Sequence, residues 1–288
     1  MRHWLLAARP KTLAITLSSV VTGCALAWAD RGQIDWPVAL ATLTAALLIQ
    51  IGTNLYNDAV DFERGADTPD RLGPARATAQ GWFPASRVKR AAHLCFFGAF
   101  LTGLYLARVG GWPIVTIGLL SLAAGYAYTA GPRPIAYSAL GELFVFLFFG
   151  LLAVAGSYYL QTGTLATSVL ITGGAIGLLA AAVLLVNNVR DLDTDERAAK
   201  LTLAHYLGRP GARTFYRLLL LLPFTLPLLV PDTLGTAGWL LLAALPYALW
   251  LQYRFVHEKS GPGFNQILAA TARLQLLYSL LLTVGLAL

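Results

Sequence analysis

The stretch from Asn54 to Arg76, NLYNDAVDFERGADTPDRLGPAR, begins where a long apolar run ends. Only 12% of the 288-residue chain is charged, yet five acidic residues fall close together here: Asp58, Asp61, Glu63, Asp67 and Asp70. A second cluster, Asn187 to Asp195 (NNVRDLDTD), lies at the end of another apolar run. Whether the fold brings these two clusters together depends on where the apolar runs place them.

The apolar runs indicate a membrane protein. Hydrophobic residues make up 57% of the chain, which is more than a soluble domain of this length needs to build a core. We therefore expect an all-α integral membrane protein, with residues 1–288 as one domain. A scan for stretches of about 20 apolar residues predicts a bundle of nine transmembrane helices, near residues 12–29, 36–57, 88–108, 112–130, 138–160, 165–189, 212–230, 235–255 and 266–287.

The basic residues predict the orientation, because Lys and Arg accumulate in short cytoplasmic loops. With a cytoplasmic N-terminus, 18 of the 21 basic residues lie on the cytoplasmic side; Arg31 and Arg108 lie opposite, and Arg273 lies inside the ninth span. Helices two and six then both end in the cytoplasm, so both acidic clusters are expected at the same membrane surface. The formal charge of +7 is placed at the ends of spans, which favours lipid headgroups and anionic substrates as partners over nucleic acid.

Each cluster forms an oxygen-rich stripe when it is drawn as a helix at 100° per residue. In the first cluster an arc of roughly 100° contains Asn54, Asn57, Asp58 and Asp61. In the second cluster a similar arc contains Asn187, Asn188, Asp191 and Asp195, whereas Asp193 points elsewhere. Carboxylates this close repel one another and need cations to stay ionised together. The stripes are therefore expected to line a polar cavity near the membrane surface.

Hard oxygen ligands without His or Cys suit Mg²⁺, which is usually held by one or two carboxylates together with substrate phosphates. Two facing stripes could bracket a diphosphate through shared cations, with Lys or Arg neutralising the remaining charge. Ionisation of an allylic diphosphate follows from such a site, because the departing diphosphate leaves a carbocation in an apolar channel. Two other interpretations stay open: a solvated surface of balanced charge, and a cation-coupled membrane transporter.

Four segments carry a resemblance to a known family: RPKTL at Arg9 to Leu13, NLYND with DRLGPAR, GPRPIAY followed by LGELFVFLFFG, and NNVRDLDTDERAAKLTLA. They resemble the UbiA-type superfamily of intramembrane aromatic prenyltransferases, whose members carry two Asp-rich motifs on the second and sixth of nine helices. The spacing looks most like the naphthoate branch, although Ala199 stands where that branch often has Gly.

The resemblance implies a reaction. A polyprenyl group passes from an allylic polyprenyl diphosphate to 1,4-dihydroxy-2-naphthoate, with loss of carbon dioxide and diphosphate, which gives demethylmenaquinone. Another aromatic acceptor, such as 4-hydroxybenzoate, is the alternative within the family. The resemblance also implies a Mg²⁺ cofactor and a bacterial cytoplasmic membrane, with the active site on the cytoplasmic side.

The resemblance further implies roles for individual residues. The expected metal ligands are Asn54, Asp58, Asp61 and Asp67 for the first ion and Asn188, Asp191 and Asp195 for the second, with Asp58, Asp61, Asp191 and Asp195 as the catalytic carboxylates. The candidates for binding the diphosphate or the acceptor are Lys11, Asn54, Arg71, Arg76, Arg133, Glu142, Asn187 and Lys200.

The helical register makes a testable prediction about neighbouring acids. Asp61→Asn or Asp191→Asn removes a carboxylate from a stripe, so each should lower turnover by orders of magnitude. Asp193→Asn, which has the same chemistry but lies off the stripe, should have a mild effect. Steady-state rates of the three purified variants check this, and equal losses at Asp191 and Asp193 would contradict the register.

Overall fold

The computed structural model describes residues 2–67 and 72–288, except for the side chains of residues 232, 233 and 236. In these ranges the regular structure is helical throughout, as predicted. The α-helices are α1 (Arg2–Ala7), α2 (Pro10–Arg31), α3 (Trp36–Glu63), α4 (Ala85–Ala127), α5 (Gly141–Val145), α6 (Ala153–Thr162), α7 (Thr167–Arg190), α8 (Leu192–Arg197), α9 (Leu203–Leu221), α10 (Pro231–Leu241), α11 (Leu245–His257) and α12 (Gly261–Ala287).

Six helical stretches of the described chain are long and apolar enough to cross a membrane. They are α2, α3, α4, the continuous run Gly141–Thr162 that joins α5 to α6, α7 and α12. Their outer surfaces carry many exposed large apolar side chains, among them Phe97, Leu101 and Trp112 on α4. Because such surface is unfavourable in water and matches the hydrocarbon core of a bilayer, the chain is an integral membrane protein.

Helix α4 reverses direction at Gly111. A straight 43-residue helix would separate Phe96 from Gly125 by about 44 Å at 1.5 Å per residue. Instead, a Cβ added at Gly125 would lie 3.4 Å from a ring carbon of Phe96. Gly111 has φ +64° and ψ −152°, a conformation that glycine adopts without a side-chain clash. The two arms of α4 correspond to the predicted spans 88–108 and 112–130.

The segment between α9 and α11 is more broken than the sequence pattern predicts. Short 3₁₀ turns occupy Leu222–Phe224, Leu226–Leu229 and Leu242–Ala244, and Gly235 interrupts α10 with φ +43°. Prolines 223, 227 and 231 lie along this segment and Pro246 lies at the start of α11, and each removes a backbone N–H that a continuous helix would use. The predicted spans 212–230 and 235–255 therefore correspond to chains of short helical pieces.

Helix α7 is the centre of the packing. Its apolar positions form most of the largest buried cluster together with side chains of α9, α11 and α12. The helical run through residues 146–152 contains a π-helical segment that lies against α7 at three glycines. A Cβ at Gly150 would lie 2.5 Å from the Cα of Gly177, so glycine is what allows these two backbones to approach.

This contact predicts opposite effects for two similar substitutions in α7. A Cβ at Gly177 would lie 2.6 Å from the carbonyl oxygen of Phe146, so Gly177→Ala should destabilise the fold by about 1–3 kcal/mol. A Cβ at Gly174 has Leu226 as its nearest neighbour at 4.0 Å, so Gly174→Ala should be neutral or stabilise by up to about 1 kcal/mol. Thermal unfolding midpoints in one detergent compare the two. Equal midpoints would contradict the close approach.

Candidate active site

The first acidic cluster lies on the buried face at the end of α3. Asn57, Asp58 and Asp61 are all nearly inaccessible. Asn57 lies one helical turn before Asp61 and donates an N–H to the Asp61 carboxylate at 2.8 Å. The Oδ1 atom of Asn57 accepts a hydrogen bond from Arg9 at 2.6 Å. Asn54, one further turn back, donates to the carbonyl of Ala8 at 3.1 Å. The stripe predicted from the helical register is thus tied to the residues that precede α2.

Asp58 holds the loop that follows the cluster. Its two carboxylate oxygens accept the backbone N–H groups of Ala77, at 2.8 Å, and Thr78, at 2.9 Å. Two such charge-assisted bonds satisfy the carboxylate without a cation. Asp58 thus anchors the loop in this structure. Its role as a catalytic residue and metal ligand stays a prediction.

Arg76 lies between the other two acids of the first cluster. Its Nη2 is 3.7 Å from Asp61 Oδ2, and its Nε is 3.6 Å from Asp67 Oδ1. All three side chains are almost completely buried. Because two buried carboxylates converge at this position, a positive charge is needed there to keep both ionised.

The second acidic cluster lies where α7 ends. Arg190 binds both oxygens of Asp191, at 2.8 and 2.5 Å, and also reaches Asn187 Oδ1 and Asn265 Oδ1 at 2.8 Å each. The helix ends at this pair, and the short helix α8 then carries the remaining acids. The Asp195 carboxylate lies 3.3 Å from Lys200 Nζ.

Asp193 points away from this site, as the register predicts. Its side chain is 76% exposed and pairs with Arg209 at 3.1 Å. Glu63 in the first cluster behaves in the same way, since it is exposed and pairs with Lys89 at 2.5 Å. These acids balance surface charge.

Tyr137 connects the two clusters. Its hydroxyl donates to Asp61 Oδ1 at 3.0 Å, and Lys200 Nζ lies 5.8 Å from the centre of its ring. Lys200 in turn pairs with Asp195, so a short chain of contacts runs from one cluster to the other. Burial and the neighbouring Asp61 carboxylate raise the pKa of Tyr137 above its usual value, which keeps the phenol a neutral donor.

Glu142 adds a further buried carboxylate beside the second cluster. Its Oε1 accepts an N–H from Asn188 at 2.9 Å. Its Oε2 is buried and has no hydrogen-bond partner among the described residues. A carboxylate oxygen in that state is available to a donor on a bound molecule.

A cavity of about 380 Å³ opens between the clusters and continues into the apolar bundle. The lining side chains at its polar end are Arg9, Asn54, Asn57, Arg76, Asn187, Asn188 and Lys200. Deeper in, apolar side chains from α2, α4 and the α5–α6 run surround it, including Ile15, Phe100, Leu104, Phe144 and Phe148. The cavity therefore combines a cationic, amide-rich end with a long apolar interior.

Comparison with known proteins places this architecture in a family. The description "UbiA prenyltransferase family" matches residues 16–277, which is most of the chain and includes both acidic clusters. The chain belongs to the UbiA prenyltransferase family.

Relatives and solved structures agree with this assignment. The chain is 38% identical to an Escherichia coli protein named 1,4-dihydroxy-2-naphthoate octaprenyltransferase, over 98% of this chain and 94% of that one. A Bacillus subtilis protein of the same name is 31% identical, over 96% and 90% of the two chains. A UbiA homolog from Archaeoglobus fulgidus, solved bound to GPP and Mg²⁺, has a TM-score of 0.67 at 16% identity, covering 99% of this chain and 100% of that one.

Some of the predicted binding residues of this UbiA chain lie away from the cavity. Lys11 and Arg133 are exposed and do not line it, and Arg71 lies outside the described residues. Arg9 is the basic residue of the RPKTL motif that lines the cavity. Arg9 and Lys11 are two positions apart at the start of α2, a spacing that sends their side chains in different directions.

Sequence reasoning also left three contributing residues off the expected site. Arg9 and Asn57 were visible, one in the RPKTL motif and the other on the predicted stripe. Tyr137 lies in the GPRPIAY segment, which gave no sign of a contact with Asp61 76 positions earlier. Only the fold brings that loop over the first cluster.

The donor set fits Mg²⁺. In the part of the chain that the structure describes, no group of three or more His, Cys, Asp or Glu side chains lies close enough to hold a metal ion by itself. Asp61 and Asp67 nevertheless converge on one cation, as the two carboxylates of a magnesium site do. A metal ion that arrives with substrate phosphates needs only one or two protein carboxylates, so the arrangement suits an ion shared with a diphosphate.

The loop contact of Asp58 predicts a difference between two neighbouring acids. Asp58→Asn replaces one acceptor with an NH₂ group that faces a backbone N–H, so the amides of Ala77 and Thr78 should exchange hydrogen about tenfold faster or more. Glu63→Gln, the matched control, removes an exposed carboxylate of the same helix that pairs with Lys89, leaves both acceptors and the Arg76 ion pair in place, and should not change exchange in this loop. Hydrogen exchange followed by mass spectrometry on residues 72–83 makes the comparison. Unchanged exchange in Asp58→Asn would show that the carboxylate does not hold the loop.

Proposed function

We propose that this chain transfers a polyprenyl group from an allylic polyprenyl diphosphate to 1,4-dihydroxy-2-naphthoate, as part of menaquinone biosynthesis. The observation that carries the proposal is the pair of acidic clusters at the cationic end of one apolar cavity. The naphthoate acceptor rests on the names of the Escherichia coli and Bacillus subtilis relatives.

The reaction balances without an oxidant. The allylic carbon–oxygen bond breaks and its electron pair leaves with the diphosphate. The ring carbon that bears the carboxylate then forms the new carbon–carbon bond, and carbon dioxide departs while its electron pair returns to the ring. The product has the demethylmenaquinone skeleton in its quinol form, because no electrons leave the system.

The carboxylates divide into ligands and supports. Asp61 and Asp67 from the first cluster and Asp191 and Asp195 from the second would hold Mg²⁺, with amide oxygens of Asn54 and Asn188 as further ligands. A Mg²⁺ ion held by these residues would supply positive charge to the departing diphosphate. Asp58 keeps its role as the anchor of the loop at Ala77 and Thr78, which carries Arg76 into the site.

The basic and amide side chains at the polar end bind the anionic part of the substrates. Arg76 and Lys200 both line the cavity and already face carboxylates, so a diphosphate with its cations can exchange with those contacts. Arg9 also lines the cavity and donates to Asn57. Together these cations position the diphosphate at the cavity mouth, with its prenyl chain directed inward.

Glu142 and Asn187 orient the acceptor ring. Glu142 does not line the cavity itself but contacts Asn188, which does, and its unpartnered Oε2 is the acceptor that we assign to a naphthol hydroxyl. The apolar side chains deeper in the cavity surround the prenyl chain and exclude water. Exclusion of water matters because an allylic cation would otherwise be captured as an alcohol.

The proposed setting is the cytoplasmic membrane of a bacterium, with residues 1–288 forming a single domain of nine spans. The two arms of α4 account for two spans, and the broken segments through α9 and through α10–α11 account for two more. The excess of Lys and Arg at the end that carries the acidic clusters supports a cytoplasmic active site and a cytoplasmic N-terminus.

Product analysis tests this function. Purified protein in lipid nanodiscs, given Mg²⁺, a polyprenyl diphosphate and 1,4-dihydroxy-2-naphthoate, should release carbon dioxide and form the prenylated naphthoquinol. A chelator should abolish the product, and 4-hydroxybenzoate in place of the naphthoate should give little. Prenylation of 4-hydroxybenzoate alone would assign a different acceptor. Absence of diphosphate release with every acceptor would exclude a prenyltransferase.

A further inference from the structure

A small basic pocket lies beside the second acidic cluster and shares no lining residue with the main cavity. Its volume is about 230 Å³. Arg209 and Arg213 reach it from α9, where their four-residue spacing places them on one edge of the helix. Lys259 reaches it from the connection between α11 and α12.

The pocket has apolar walls and lies where three helices begin or end. Val189 is next to the last residue of α7, Phe255 lies in the last turn of α11, and Phe264 lies in the first turn of α12. Val189 is also two residues from Asp191, so the pocket is at the same end of the bundle as the acidic clusters. Because α7 is long and apolar enough to cross a membrane, its end is expected at the level of the lipid headgroups.

The one carboxylate in the lining is already satisfied. Glu258 Oε1 accepts from the backbone N–H and the hydroxyl of Ser260, at 2.9 and 2.8 Å, and from the N–H of Lys259 at 3.0 Å. Its Oε2 lies 3.5 Å from Arg254. The hydrogen bonds from Ser260 lower the pKa of Glu258, so the group stays ionised and engaged with these donors.

Two of the three cations have no counterion among the residues that the structure describes. Arg209 pairs with the exposed Asp193 at 3.1 Å. For Arg213 and Lys259, no carboxylate within the described ranges lies inside the 4.0 Å limit of an ion pair. Two positive charges therefore border an apolar-walled pocket and remain available to an external anion.

We propose that this pocket binds the phosphate group of an anionic phospholipid. Arg and Lys are the side chains that pair with phosphate oxygens, and basic pockets between transmembrane helices bind lipid headgroups. Exposed aromatic side chains of the kind found at membrane interfaces lie on the adjacent helices, at Tyr206, Trp250 and Tyr253. Free phosphate shares the charge chemistry but leaves the Phe255 and Phe264 walls without an apolar partner, which favours the lipid.

Lipid titration of the full-length protein tests the proposal. Phosphatidylglycerol is added to protein in a neutral detergent, and adducts are counted by native mass spectrometry, with phosphatidylcholine as the zwitterionic comparison of zero net charge. Arg213→Gln combined with Lys259→Gln should weaken phosphatidylglycerol binding roughly thirtyfold, which corresponds to about 2 kcal/mol at about 1 kcal/mol per basic residue. Arg2→Gln combined with Arg90→Gln removes two exposed charges elsewhere and should leave binding unchanged.

A variant that retains both charges controls for misfolding, and a phosphate competitor controls for binding of free phosphate. The variant Arg213→Lys with Lys259→Arg retains both charges and should bind phosphatidylglycerol nearly as well as the natural chain, with an unchanged unfolding midpoint in detergent. Inorganic phosphate, added as a competitor at the lipid concentration, should displace little. Equal binding of phosphatidylcholine, full phosphatidylglycerol binding by the double Gln variant, or displacement by inorganic phosphate would each overturn the assignment to a lipid.

Discussion

Burial of like charges is the constraint on which the site depends. Asp61 and Asp67 are held close together away from water, and the guanidinium of Arg76 between them makes that arrangement possible. A buried carboxylate that lost its partner would carry an uncompensated charge, at a cost of about 3–5 kcal/mol. The loop that brings Arg76 into place is therefore part of the stability of the site, and Asp58 fixes that loop through the amides of Ala77 and Thr78.

The buried carboxylates of the second cluster are also neutralised by basic side chains, but by different ones. Arg190 binds both oxygens of Asp191, and Lys200 neutralises Asp195. Each cluster thus carries its own positive charge in the absence of a ligand. In the proposed reaction, a diphosphate accompanied by Mg²⁺ would bring charges of both signs and could take over these contacts without leaving any acid uncompensated. Under that proposal, this exchange accounts for the many carboxylates at a site that binds a polyanion.

Two positions with a left-handed backbone border the same site. Arg9, with φ +56°, precedes α2 and contacts Asn57; Ala199, with φ +53°, directly precedes Lys200. Non-glycine residues in this region carry strain of about 1–2 kcal/mol. At both positions the unusual backbone accompanies a cation that lines the cavity. The placement of Ala199 also gives a physical reason for the glycine that the naphthoate branch often has there.

The sequence allowed the main features to be predicted because they depend on local periodicity. The helical class, the chain reversal between the predicted spans 88–108 and 112–130, and the outward direction of Asp193 follow from apolar run lengths and the 100° register. The role of Asp58 depends on amides 19 and 20 positions away, and the contact of Tyr137 with Asp61 crosses 76 positions. Such contacts have no local signature, which is why Lys11 was expected in place of Arg9.

The helix faces that form the apolar part of the cavity could not be located from the sequence for a related reason. Along α3 its lining runs from Asn57 back to Thr42, which is 15 residues or about 22 Å at 1.5 Å per residue, most of the roughly 30 Å hydrocarbon core. Helix α3 therefore faces an apolar cavity on one side and lipid on another, whereas α7 packs against protein nearly all round. Both environments select apolar residues, so hydropathy cannot distinguish a wall of the cavity from a lipid-facing surface. Only the polar end of the cavity, where acids and amides replace apolar residues, leaves a mark in the sequence.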